Sequence, residues 1–393
     1  MPLSTTNQSG YIRGYIEGYY GKLLSWTERT ELLRFLASLQ LNTYCYAPKE
    51  DPQHRFKWRE PHSPQWHEAF RKLSATADSS SVAVVAGIAP GLDFNFQSSA
   101  DFDHLLNKAQ QYISSGATGI LLLWDDIDDE FTADISISEG TAHARTVNQL
   151  SDALNQAIWT VPRVYAEEIE NKNSYLEDFF SELHAQHTVL LCGNAIVSSK
   201  VKQSDLKRLS RTTNNTIEPS TALKHRTIVW DNFYANDYCP RRLFIGPWTG
   251  REEVSDYLIN PTGMPWTDQL LLDIATSTHN TNNSYNEWLG VLKRHGVPDA
   301  FLHIAAYFSN PCFGDIVSQL DSEQADIAVS SAEAAGLDQA IEDCLWKWKS
   351  PLSREWYPYI MSLKHDLALM HRTLPTDRIL KTQPHHLIKR LIG

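Results

Sequence analysis

The chain has 393 residues, more than one hydrophobic core usually accommodates, so a large domain with a smaller partner is expected. Its 42% hydrophobic and 21% charged residues suit a soluble globular enzyme, and no apolar run approaches the ~18 residues of a membrane span. A formal net charge of −12 argues against nucleic acid and anionic membrane surfaces as partners, and more weakly against polyanionic polysaccharides, because all of these need a positive field.

Short apolar runs rich in β-branched and aromatic residues lie at 11–18, 41–48, 82–91, 119–127, 160–165, 188–194 and 227–234, and read as strands. Helical patterns fall between them at Trp26–Leu39, Phe102–Tyr112, Ala142–Ile158 and, more weakly, Gln203–Arg211. An eighth, poorly defined strand around Val254–Asn260 precedes a helix at Trp266–Ser277. Strand and helix in alternation imply parallel strands joined by crossover helices. Eight such units in about 280 residues match a closed (β/α)8 TIM barrel. An open doubly wound sheet is the alternative, and the lack of a G-x-G-x-x-G after the first strand counts against it. The strand runs then stop. A polar linker at 280–284 leads to helical patterns at Tyr285–Arg294, Ser322–Ala335, Leu337–Trp348, Trp356–His371 and Arg378–Ile392. The expected organisation is therefore a catalytic α/β barrel over residues 1–278 and a C-terminal, mainly helical domain over 279–393.

The 5 cysteines, Cys45, Cys192, Cys239, Cys312 and Cys344, are odd in number and widely spaced, which fits a reducing compartment better than a disulfide framework. The first residues lack a basic stretch followed by an apolar one, so a cytoplasmic location is expected. The 12 tryptophans fit a rich aromatic core, with some indoles free to serve as platforms for sugar rings.

In such a barrel the site lies at the carboxyl ends of the strands. The residues there are Glu17–Gly18–Tyr19–Tyr20, Lys49–Glu50–Asp51, Asp93, Asp125–Asp126, Tyr165, Asn194, Trp230–Asp231–Asn232, Asn236–Asp237 and Asn260. Carboxylates and amides for hydroxyls, with aromatic faces for apolar ring surfaces, suit a hydroxyl-rich ligand. The sharpest feature is Asp125–Asp126, directly after the apolar run Ile120–Trp124. Adjacent side chains diverge in a strand, so both can face one site only if the chain leaves strand geometry there. Two nearby carboxylates repel, raising one pKa and leaving the other low, which yields the acid and the anion that glycoside hydrolysis needs. The same run, followed by Asp128 and Asp129, would also suit a capping or metal-binding turn. A retaining glycosidase with its own nucleophile places carboxyls on opposite faces of the sugar, roughly 5 Å apart. Neighbours in sequence are better placed to act on two adjacent atoms of one substrate, as a substrate-assisted route requires. No H-E-x-x-H, G-x-S-x-G or P-loop is present, so neither a metal nor a cofactor is expected.

Six blocks carry a resemblance. They are Gly-Tyr-Ile-Glu-Gly-Tyr-Tyr-Gly (14–21), Leu-Asn-Thr-Tyr-Cys-Tyr-Ala-Pro-Lys-Glu-Asp (41–51), His54–Arg55 with Trp58–Arg59–Glu60, Ala-Pro-Gly-Leu-Asp (89–93), Leu-Leu-Trp-Asp-Asp-Ile-Asp (122–128) and Val-Trp-Asp-Asn-Phe-Tyr-Ala-Asn-Asp-Tyr (229–238). Together they resemble the signature blocks of glycoside hydrolase family 84, which contains protein O-GlcNAcases and bacterial β-N-acetylglucosaminidases. The resemblance implies hydrolysis of terminal β-linked N-acetylglucosamine with retention, assisted by the 2-acetamido group, on a protein or glycan bearing that sugar. It implies that Asp125 orients the acetamido group and that Asp126 is the general acid and then the base. It assigns Gly18, Tyr20 and Lys49 to the sugar side, Asp237 and Asn260 to its O4/O6 edge, and Asn232 to the acetamido region or the catalytic pair. Tyr165 and Trp230 would wall the acetamido pocket. The chain departs from the family around Lys22–Leu24, at Val161–Tyr165 and around Cys192–Asn194, so the lining of the acetyl pocket stays open. An endo-acting hyaluronidase and a catalytically silent sugar-binding module are the competing readings.

Overall fold

Eight parallel strands pair in sequence order and close on themselves: β1 (Arg13–Ile16), β2 (Thr43–Tyr46), β3 (Ala83–Ile88), β4 (Gly119–Leu123), β5 (Trp159–Val161), β6 (Thr188–Leu191), β7 (Arg226–Asp231) and β8 (Tyr257–Ile259). Closure is visible at Gly14, which lies opposite Thr43 on one side and Leu258 on the other. A methyl group at Gly14 would sit 1.8 Å from the Thr43 carbonyl oxygen, so this seam admits no side chain. The computed structural model describes residues 10–127, 137–170, 174–210, 225–279, 281, 283–309, 311 and 331–370.

Side chains alternate across the barrel wall, as the two-residue period of a strand demands. Ile16, Cys45, Val85, Leu121, Leu123, Leu190, Ile228 and Leu258 fill one buried cluster. Their neighbours Tyr15, Tyr44, Val84, Leu122, Val189, Val229 and Ile259 belong to a second, which includes the helices. The helices are α1 (Trp26–Ser38), α2 (Pro64–Ser79), α3 (Ser99–Ser114), α4 (Glu139–Leu154), α5 (Tyr175–Glu182), α6 (Gln203–Leu209) and α7 (Pro265–Thr278). Both α2 and α5 escaped the sequence reading. In α2 the buried stripe is only Phe70, Leu73, Ser74 and Ala77, and α5 has 8 residues. Among the described residues no helix separates β7 from β8. The intervening segment buries Leu243, Phe244, Ile245 and Trp248 instead.

The chain after the barrel forms α8 (Ser284–Arg294), two short turns of helix at Asp299–His303 and Ala305–Phe308, α9 (Ser331–Glu342), a wide turn at Asp343–Lys347 and α10 (Pro351–Met370). The helix expected at Ser322–Ala335 lies partly, and that at Arg378–Ile392 wholly, outside the described residues. These helices pack on α7 and the β7–β8 segment. The Glu355 carboxylate accepts the free N–H groups of Trp266 and Thr267 at the start of α7, at 3.1 and 2.7 Å. Trp356 Nε1 donates to Thr267 Oγ1, and Trp288 Nε1 to the Ile245 carbonyl. Among the described residues no helix is long and apolar enough to cross a membrane.

Burial also fixes protonation behind β2. His54 Nδ1 lies 2.9 Å from the Gly87 carbonyl, and burial, with Lys49 nearby, pushes the imidazole pKa down to about 3. The unfolded chain takes up this proton near pH 6.5 and the native state does not. His54 therefore leaves stability intact above pH 6.5 and costs about 1.4 kcal/mol per unit as the pH falls toward 3. Denaturant titrations at pH 6.5, 5.5 and 4.5 should show that slope difference between the native chain and His54→Gln. Parallel slopes would mean that the imidazole is protonated in the fold.

Candidate active site

The carboxyl ends of β1, β4, β5, β7 and β8 open onto a cavity of about 620 Å³, lined by Gly18, Tyr20, Asp125, Asp126, Tyr165, Trp230, Asn232, Asp237 and Asn260, among others. Of the residues to which the resemblance assigns a role, only Lys49 is not on the wall. It is buried behind Asp125.

The aspartates reach the cavity through a backbone irregularity. Asp126 has φ of +54°, in the left-handed region that non-glycine residues seldom enter. The turn breaks strand alternation just beyond β4, so both carboxylates face the same space. Lys49 Nζ lies 2.5 Å from Asp125 Oδ2 and 3.7 Å from Asp126 Oδ2. Asp125 Oδ1 is buried and has no hydrogen-bond partner among the described residues. Asp126 is held on every side. Tyr20 donates to Oδ2 at 2.8 Å, Tyr165 to Oδ1 at 2.9 Å, and Arg55 to the main-chain carbonyl at 2.6 Å.

These surroundings split the pair. Burial, reinforced by the charge of Asp126, raises the pKa of Asp125 against the opposing pull of Lys49. Burial also acts upward on Asp126, but Lys49, the hydroxyls of Tyr20 and Tyr165, and Arg55 outweigh it and hold that carboxyl below its ordinary value.

A chain of amides shapes the opposite wall. Trp230 Nε1 and Asn260 Nδ2 both donate to Asn232 Oδ1 at 2.8 Å, and the Gly18 N–H donates to Asn260 Oδ1 at 3.1 Å. Asn232 Nδ2 donates to the Ile196 carbonyl, so its bonds run to the Trp230 side of the site and not to either aspartate. Asp237 accepts the N–H of Tyr20 at 3.0 Å, fastening the loop after β7 to the loop after β1. A methyl group on Gly18 would meet Trp230 Cζ2 at 2.3 Å. Gly18→Ala should displace that indole by about an ångström, a misplacement that can lower turnover roughly 100-fold. Steady-state kinetics on a correctly folded variant would show it, and unchanged kinetics would remove Trp230 from the working site.

Several strand-end polar residues serve the scaffold instead. Glu17 is bound by Arg29 and Tyr44, Asp51 by Tyr46 and His62, and Asp93 by Trp58 and Arg59. Asp231 is bound by Arg251 and Trp248, Asn194 by Ser198, and Asn236 by Tyr359. The sequence reading gave no role to Arg55, Glu168, Cys192, Ile196, Val197 or Tyr238. Arg55 stood within one of the six blocks. The stretch at 195–197 carries no polar or glycine signal at all. Among the described residues no group of three or more His, Cys, Asp or Glu could hold a metal ion, and Asp128 and Asp129 lie outside those residues.

A profile for beta-N-acetylglucosaminidases (NAGidase) matches residues 13–286, which takes in the whole barrel and every residue of this cavity. The chain belongs to this family. Outside the family profile, the chain is 31% identical over 250 residues to protein O-GlcNAcase of Rattus norvegicus and of Mus musculus. That alignment covers 61% of this chain but only 26% of the length of those relatives. Its fold is similar to that of an O-GlcNAc hydrolase variant from Thermobaculum terrenum, with a TM-score of 0.75 at 20% identity over 97% of this chain and 87% of that one.

Proposed function

We propose that the protein is a retaining glycoside hydrolase that removes terminal β-linked N-acetylglucosamine from proteins or glycans, with the 2-acetamido group of the substrate as nucleophile. The observation that carries this reading is the left-handed turn at Asp126, which sets two adjacent carboxylates on one side of a cavity that the family profile covers. Names of relatives in the family point to the same substrate.

In this reading the unpartnered Asp125 Oδ1 receives the acetamido N–H. The acetamido oxygen then attacks C1 and the glycosidic bond breaks while Asp126 gives its proton to the departing oxygen, leaving an oxazolinium ion whose N–H is held by the Asp125 carboxylate. Water next attacks C1, passing its proton to Asp126 and returning the acetamido group. Lys49 balances the charge of Asp125, and Trp230 and Tyr165 enclose the acetamido group. Gly18, Asp237 and Asn260 meet the sugar hydroxyls. Asp126 must be protonated when substrate is bound, although its surroundings in the free site favour the anion. Binding supplies the reversal. The acetamido N–H stabilises the anion of Asp125, and the sugar displaces water from Asp126, which faces the charge of Asp125 next to it.

The catalytic unit is residues 1–278, and of the remainder, 279–393, the described helices α8 and α10 brace the β7–β8 segment that carries Asp237. The described cysteines, Cys45, Cys192, Cys239 and Cys344, are free and buried, which supports a reducing, cytoplasmic setting.

An aryl β-N-acetylglucosaminide should be hydrolysed with retention, its 2-hydroxy counterpart should be nearly inert, and a thiazoline mimic of the intermediate should inhibit strongly. Binding without turnover would favour a silent sugar-binding module. A glycosyl-aspartate trapped with a 2-fluoro sugar would overturn the assisted mechanism.

A further inference from the structure

Among the described residues the cavity is lined by four carboxylate residues, Asp125, Asp126, Glu168 and Asp237, and by no lysine, arginine or histidine. Lys49 and Arg55 are buried behind its wall. Lys49 is engaged by Asp125 from behind, and Arg55 donates to the main-chain carbonyl of Asp126. The proposed chemistry uses Asp125 and Asp126, and Asp237 is fastened to the N–H groups of Tyr20 and Tyr238. Glu168 is left over. It is exposed, and it stands on the short helical turn Glu167–Ile169 just beyond Tyr165. Its Oε1 accepts the Ile196 N–H at 2.6 Å, which fixes the carboxylate between the loops after β5 and β6. No ion pair neutralises it among the described residues, although its neighbour Glu167 is paired with Arg208.

Tyr165 reaches Asp126, the residue read above as protonating the leaving oxygen, and Glu168, three residues further on, lines the same cavity and is exposed at its solvent side, where the aglycone of a sugar bound inside would leave. We propose that Glu168 is a specificity-determining residue that makes the enzyme favour cationic and neutral aglycones over anionic ones such as uronates, carboxylates and phosphates. The inference rests on the reading of the cavity as a β-N-acetylglucosaminidase site and narrows its substrate class. A unit charge about 6 Å from another, at an effective dielectric near 40, changes an equilibrium roughly tenfold. Glu168 is fixed in place and has no ion-pair partner among the described residues, so its charge is available to the aglycone. The same field disfavours a glucuronate next to the scissile bond, and with it the hyaluronidase alternative.

Three aryl β-N-acetylglucosaminides matched in leaving-group pKa, bearing an aminomethyl, a carboxamide or a carboxylate group remote from the bond, provide the test. At low salt kcat/KM should fall in that order, with cation and anion at least about tenfold apart, and the gap should narrow in 0.5 M salt as charges are screened. Glu168→Gln keeps an oxygen for the Ile196 N–H and removes the charge, so its cation-to-anion ratio should drop severalfold whatever its absolute activity. Equal kcat/KM for the three substrates, or a ratio unchanged in the variant, would overturn the proposal. Failure to hydrolyse even the carboxamide substrate would instead overturn the enzyme reading. Calorimetric affinities of the same three glycosides would then decide the charge preference, with equal affinities counting against it.

Discussion

Asp126→Asn should separate substrates by their leaving groups, and Asp125→Asn should slow them all alike. General acid catalysis contributes ~10²–10⁴-fold when the departing oxygen is a poor leaving group, and little when it is an activated phenol. With Asp126 as the acid, its amide variant should form the oxazoline from a dinitrophenyl glycoside at a comparatively high rate and from an alkyl glycoside hardly at all. Asp125 serves the attack on C1, which is common to every substrate. Its buried Oδ1, without a hydrogen-bond partner among the described residues, is the group that would steer the acetamido N–H. In Asp125→Asn that position holds an amide, and Lys49 faces a neutral group at 2.5 Å. The loss should therefore be uniform across leaving groups. A plot of log kcat/KM against leaving-group pKa reads both variants, steep for Asp126→Asn and parallel to the native enzyme for Asp125→Asn. Equal slopes in the two variants would mean that the roles are wrongly assigned even with the substrate right.

The free-state ionisation sharpens this test. Asp126 is held as an anion by the Tyr20 and Tyr165 hydroxyls and by Lys49, whereas Asp125 is pushed the other way by burial. The limb of the kcat profile that reports the general acid should therefore lie at higher pH than its counterpart in kcat/KM, since the first belongs to the complex and the second to the free enzyme.

Much of this site was legible in the chain because barrel strands are short and their ends are abrupt. Each of the eight expected strand regions overlaps a strand observed, β5 and β7 each beginning one residue earlier, and the requirement that Asp125 and Asp126 leave strand geometry is met by φ at Asp126. Which face a strand-end residue takes was not legible. Trp230 and Asn232 line the cavity, whereas Asp231 between them is buried against Arg251, and a one-residue alternation of polar side chains looks the same either way. Glu17 and Gly18 divide in the same manner. The wall formed by Cys192, Ile196 and Val197 had no signal because it is apolar and irregular, and its position is set by bonds made elsewhere in the fold. Helix α2 was obscured by its many polar positions, even though Ser63 and Pro64 mark its start, with the Ser63 side chain accepting from the Trp66 N–H.

The second large effect should come from Arg251, which never touches the cavity. Its guanidinium meets both oxygens of Asp231, at 2.8 and 3.0 Å, and donates to the carbonyls of Ser198, Ser199 and Thr249. Both partners of the pair are buried. One side chain thus ties the end of β7, which carries Trp230 and Asn232, to the loop after β6, which carries Ile196 and Val197. Arg251→Met leaves the Asp231 charge buried without its cation, a loss worth about 3–5 kcal/mol. At roughly 1–2 °C per kcal/mol for a chain of this length, Tm should fall by about 3–10 °C. Folded Arg251→Met at low temperature should also show a raised KM, because the Ile196–Val197 wall loses its anchor to β7. Replacing Asp231 as well, in Asp231→Leu with Arg251→Met, removes the stranded charge. That double variant should recover part of the stability, as apolar replacements of buried ion pairs often do. It should not recover KM, since the bonds to the Ser198 and Ser199 carbonyls are still missing. A single variant as stable as the native chain, or a double variant with normal KM, would show that the pair neither holds the fold nor places the wall.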